Sequence, residues 1–142
     1  MSTADELQVR IDAIEESYEF FLAYAAQGVS GDQATTSSAQ VRDFLDRMVQ
    51  ALSTLPDLFS SVITERGEAD ESLYHSFVDV LRQDAGDALA AVRMVLAQPA
   101  IGSQMIDNLN ALIHLRALLT DVFLIDEILN PRVPGGHKPK AG

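Results

Sequence analysis

Leu7, Ile11, Ile14, Tyr18, Phe21, Leu22 and Ala25 recur at intervals of three and four residues, which places them on one face of a helix. Ser2 or Thr3 stands ahead of that run, each followed three residues on by an acid, Asp5 or Glu6, in the spacing of a capping box. Gly28 supplies the stop at the other end. From Val29 to Ser38 the chain carries Ser, Thr, Gly, Asp and Gln without periodicity, and reads as an exposed loop.

Ser37 or Ser38 then predicts a second helix, with Val41, Phe44, Leu45, Met48, Val49 and Leu52 on its apolar face. Pro56 removes a backbone donor inside that segment, so the helix is expected to kink or to restart with Ser53 or Thr54 as a new cap. Leu58, Phe59, Val62 and Ile63 continue the face as far as Gly67. Asp70 or Ser72 opens a third helix whose stripe is Leu73, Phe77, Val80, Leu81, Ala88, Val92, Val95 and Leu96, with Pro99 as its stop. Gly86 lies inside that stripe among Ala85, Ala88, Ala90 and Ala91, a run of small residues that predicts close approach of a neighbouring helix.

The fourth segment runs from Ser103 to Leu129, and Asn130-Pro131 ends it. It is apolar nearly all round. Asp107, Asn110, His114 and Asp121 share one narrow stripe, Arg116, Thr120 and Glu127 another, and aliphatic residues fill the arc between. A helix apolar on two sides needs cover on two sides, which predicts a central place in the bundle or an oligomer contact. No segment alternates as a strand does. The pattern therefore predicts an all-α fold, an antiparallel up-and-down four-helix bundle over residues 1–130. The last twelve residues, with three prolines and three glycines, are expected to form a flexible tail.

Charge sharpens this picture. All 21 acidic residues and only seven of the ten basic ones lie before Pro131, leaving residues 1–130 with a net charge of −14. Such a surface repels phosphate backbones and anionic lipid, so neither nucleic acid nor a membrane is an expected partner. The absence of cysteine excludes thiolate metal sites, thiol catalysis and disulfides together. With no export signal at the N-terminus and charges breaking up the apolar stretch 111–129, the expected compartment is the cytoplasm.

Chemistry-bearing motifs are sparse. A carboxylate-bridged metal in a helical bundle draws on Glu-x-x-His pairs, and none occurs. The nearest substitutes are Glu71, His75 and Asp79 at four-residue spacing on the third helix, and Glu15 with Glu19 on the first. His114 and Asp121 offer a second His/carboxylate pair. A phosphotransfer role for His114 is disfavoured because Arg116 lies two residues on, roughly 200° round the helix. Glycine-serine elbows, phosphate loops and zinc-protease spacings are absent. No cofactor or metal is expected. Phe20 and Tyr24 on the first helix, with Leu115, Leu118, Val122 and Ile125 on the fourth, are the candidate contact residues of a homodimer, and another protein is a second expected partner. The function expected is a non-catalytic interaction protein, with a small-ligand- or metal-binding bundle as the alternative.

Overall fold

A computed structural model describes residues 1–30 and 36–131. Five helices follow one another: α1 (Thr3–Gln27), α2 (Thr36–Arg66), α3 (Glu71–Leu96), α4 (Ser103–Ala111) and α5 (Ile113–Leu129). No strand occurs among the described residues. Most of the expected loop and the expected tail, residues 31–35 and 132–142, lie outside them.

At the start of α1 the sequence signal resolves to Ser2. Its hydroxyl accepts from the Asp5 amide at 3.1 Å, and the Asp5 carboxylate accepts from the Ser2 amide at 3.4 Å, so two otherwise orphaned donors are paired. Gly28 closes α1 in the left-handed region at φ 66°, which costs glycine nothing. The buried face is Leu7, Ile11, Ile14, Ser17, Phe21 and Tyr24. Leu22, expected inside, is half exposed. Ser17 is tolerated in the core because its hydroxyl reaches the carbonyls of Ala13 (2.7 Å) and Phe44 (3.3 Å).

α2 is continuous through Pro56, so the expected restart is corrected. Ser53 and Thr54 cap nothing. Their hydroxyls donate back to the carbonyls of Val49 (2.7 Å) and Gln50 (3.1 Å). A proline inside a helix costs about 3 kcal/mol. Leu52, Leu55, Phe59, Val62 and Ile63 are all buried on one face spanning the proline, and each gains about 1.5–3 kcal/mol by that burial. Tertiary packing outweighs the lost hydrogen bond. Two arginines of α2 serve other helices' ends: Arg42 donates to the carbonyls of Leu96 (3.1 Å) and Gln98 (2.7 Å) at the end of α3, and Arg66 to the Leu129 carbonyl (2.6 Å) and Asn130 Oδ1 (3.0 Å) at the end of α5. Cations there meet the negative ends of the helix dipoles.

α3 buries Val78, Leu81, Ala85, Ala88, Val92 and Val95. Leu73 and Val80, placed in the stripe by periodicity, are exposed instead. The small-residue expectation divides. Ala85 and Ala88 are buried, but a Cβ added at Gly86 would meet nothing within 4 Å, so no helix approaches there.

The largest correction concerns the fourth segment, which is two helices. Leu112 is extended (φ −63°, ψ 129°) and separates α4 from α5. Neither proline nor glycine causes the break; the apolar phase does. At 100° per residue, the buried set of α4 (Ser103, Ile106, Leu109, Asn110) and that of α5 (Leu115, Leu118, Leu119, Val122, Ile125, Leu129) would point roughly 140° apart on one uninterrupted helix. A single extended residue lets both sets face inward.

α1 and α2 run antiparallel, as do α2 and α3. α1 lies on α2, joined by Thr3 Oγ1 donating to Glu65 Oε1 (3.0 Å), and α2 lies on α3, joined by Arg82 and Asp57 (2.8 Å). α4 packs on α1 and α5 on α3, so the final segment is not at the centre of the fold. A buried knot ties α1 to α4. The Tyr24 hydroxyl donates to the Ile101 carbonyl (2.6 Å), Ser103 Oγ donates to the Tyr24 carbonyl, and the Val29 amide donates to Ser103 Oγ (2.8 Å). Ser103, where the segment is expected to start, is the first residue of α4 and also serves α1, while Gly102 stands at the cap.

Candidate functional site

The six residues expected as contact surface belong to the interior or its edge. Tyr24, Leu115, Leu118, Val122 and Ile125 are buried in the chain's own core. Phe20 is half-buried, stacked on Phe44 at 4.4 Å between centroids and on Tyr24 at 6.0 Å. The Arg47 guanidinium covers the Phe44 ring at 4.7 Å. Of the six, Phe20 alone keeps part of its surface exposed.

The His75 region is a polar clamp between α2 and α3. Ser60 Oγ lies 3.2 Å from His75 Nδ1, and His75 Nε2 lies 3.1 Å from Glu71 Oε1 and 3.4 Å from Thr64 Oγ1. The order serine, histidine, glutamate is that of an acyl-transfer relay. Ser60 nevertheless sits well inside continuous α2, where the backbone N–H groups are committed to the helical ladder and leave no donors for an oxyanion. Asp79, one turn beyond His75, is exposed. Among the described residues no three His, Asp or Glu side chains are gathered to hold a metal ion.

His114 and Asp121, expected to share one site, face different partners on α3. His114 Nδ1 is 3.9 Å from Asp87 Oδ2, with both side chains about half exposed. Asp121 meets Asp84, a residue that periodicity and motif spacing do not single out. Burial first, then the hydrogen bond to Asp84 and the repulsion of its charge, push the Asp121 carboxyl up to about 7. Its Oδ2 atom is buried and takes no bond from an N–H or hydroxyl donor. Two carboxyls thus face each other across α3 and α5, the Asp121 one held protonated toward neutrality mainly by its burial.

What the structure leaves for recognition is surface. Ile113 is 72% exposed, and Phe123, Leu124 and Ile128 are 51%, 52% and 51% exposed. Ile113, Ala117, Thr120, Leu124 and Ile128 form a continuous outward stripe on α5, opposite the face that enters the core. Beside it lies a cleft of about 430 Å³ between α1 and α5, lined by Glu15, Tyr18, Glu19, Leu119, Phe123, Asp126 and Glu127. Periodicity signals the apolar excess of this helix but points to the inward residues. Recognising the outward set requires the phase shift at Leu112.

No described helix is long and apolar enough to cross a membrane. Comparison with protein-family models, with curated proteins and with solved structures finds no match.

Proposed function

We propose that this chain is a non-catalytic interaction protein of the cytoplasm, acting as a homo-oligomer in the role of an adaptor, assembly factor or regulator. On this reading residues 1–130 are one domain, an up-and-down bundle whose fourth rod is made by α4 and α5 together. The observation that carries the proposal is the outward stripe of α5. Its inner face is already filled by core packing, yet Ile113, Leu124 and Ile128 still stand in solvent. Apolar side chains concentrated on one helix face mark a contact surface more than a solubility feature.

Charge supports a second copy as the occupant of that stripe. Arg116 and Glu127 flank it eleven residues apart, three helical turns. In an antiparallel pairing of two α5 helices centred between Thr120 and Phe123, each Arg116 meets the other copy's Glu127, a self-complementary arrangement suited to two-fold symmetry. The experiment is native mass spectrometry of the full chain and of Leu124→Asp/Ile128→Asp. A dimer that becomes a monomer in the variant, with helical content unchanged by circular dichroism, is the expected result. A monomeric parent protein at tens of micromolar refutes self-association. The ligand- or metal-binding alternative has no observation in its favour, since His75 and His114 are each engaged with a neighbouring helix.

A further inference from the structure

The cleft between α1 and α5 has a chemistry distinct from the outward stripe. Its floor is Tyr18, Leu119 and Phe123, and its rims are Glu15 and Glu19 on α1 and Asp126 and Glu127 on α5. Every charged residue lining it is therefore an acid, placed on both sides of an apolar floor. Glu15 and Glu19 stand one turn apart and exposed. Two antiparallel helices leave between them a groove into which the side-chain ridge of a third helix fits.

We propose that this cleft receives a basic amphipathic helix from a partner protein. An apolar face on that helix covers Phe123 and Tyr18, and arginines or lysines on its two flanks meet the carboxylates of the two rims. Charge separates this occupant from the others at hand. Each of the five described helices carries more acids than arginines, so among the described residues a second copy brings no basic helix to the cleft. Residues 132–142 hold Arg132, Lys138 and Lys140 without an acid, but Val133 is their sole large apolar side chain, too little to cover the floor. Nucleic acid and anionic lipid meet the same repulsion as elsewhere on a surface of this charge. The inference extends the interaction reading to a different partner and does not depend on self-association through Leu124.

The test is fluorescence anisotropy with the full chain and a labelled 18-residue probe peptide of leucine, alanine and arginine. Its leucines repeat at i, i+3, i+4 and i+7, and its arginines lie on both flanks. Saturable binding at 150 mM salt is expected, at least tenfold tighter than to a scrambled isomer of equal charge. Glu15→Gln/Glu19→Gln and, separately, Phe123→Ala each weaken it at least fivefold, whereas Asp46→Asn/Asp79→Asn, which removes two exposed charges on α2 and α3, changes it less than twofold. Equal loss from both charge pairs, no loss from Phe123→Ala, or equal binding of the scrambled peptide overturns the proposal, because attraction is then a property of net charge alone. If Arg132→Gln/Lys138→Gln/Lys140→Gln binds the probe at least tenfold tighter than the parent, the cleft belongs to the chain's own C-terminal residues and the partner is ruled out. Native mass on the same samples separates the two readings. A monomer that binds the probe removes self-association alone, and a dimer that fails to bind it removes this inference alone.

Discussion

Replacing Asp121 by Asn tests the carboxyl pair between α3 and α5. In the folded protein the Asp121 carboxyl is raised from 3.8 to about 7, so between those values the native state holds a proton that the unfolded chain has released. The native state then binds more protons than the unfolded state, and stability falls as pH rises through that window. Below about pH 4 both states are protonated and the pair costs nothing. Above about pH 7 both are ionised and the cost is complete. Every tenfold gain in proton affinity is worth about 1.4 kcal/mol, which sets an upper bound of about 4 kcal/mol. Solvent reaches part of the pair and screens it, bringing the expected cost at pH 8 to about 1–2 kcal/mol. Asparagine has the same shape, carries no charge at any pH and can donate its amide to Asp84. Asp121→Asn is therefore expected to match the parent protein at about pH 3 and to exceed it by about 1–2 kcal/mol at pH 8. Urea titrations followed by circular dichroism across that range give the difference, which cancels the general repulsion of an acidic chain. Asp84→Asn should produce a gain with the same pH profile, and the double variant should gain less than the two singles summed, because each removes the same repulsion. A variant whose offset is independent of pH, or which loses stability at pH 8, refutes the assignment of the pair.

Three further outcomes follow from local geometry. Gly86→Ala is expected to stabilise the protein by about 0.5–1 kcal/mol in thermal or urea unfolding, since Gly86 is helical and its Cβ would enter open space. Tyr24→Phe removes the donor to the buried Ile101 carbonyl and should cost about 1–3 kcal/mol by the same measurement. Arg66→Ala frees the Leu129 carbonyl and Asn130 side chain at the end of α5 and should cost about 1 kcal/mol, with faster amide hydrogen exchange confined to the last turn of α5 and the turn of α2 that holds Arg66.

Helix existence is legible in the sequence wherever an apolar face stays in phase with a clear stop beyond it. Ser2, Gly28 and Gly67 mark ends of α1 and α2 because cap geometry is local and needs only a few residues to specify it. Pro56 misleads because its penalty is also local, whereas the burial of Leu52, Leu55 and Phe59 that overrides it is a property of the packed chain. Leu73 and Val80 show the converse. Their spacing fits the stripe of α3, but burial is decided by which neighbours arrive, and α2 and α5 cover only the arc containing Leu81, Ala85 and Ala88.

The same distinction explains why the sequence misplaces the exposed apolar face of α5. An apolar excess on a helix can be read from composition, but the side that faces inward depends on phase, and Leu112 changes the phase without a proline or glycine to announce it. Treated as one helix, residues 103–129 look apolar nearly all round, and any of their leucines serves equally as contact residue. Treated as two, they divide cleanly. Leu115, Leu118, Val122 and Ile125 enter the core from α5, and Ile113, Leu124 and Ile128 are left outside. Asp121 lies on the seam between these sets, turned toward α3, which is why its natural partner is Asp84 and not His114. The break thus positions both the carboxyl pair and the exposed stripe. A substitution that restored a continuous helix through Leu112 would turn one of the two apolar faces out of the core, altering the inner packing and the outer surface together.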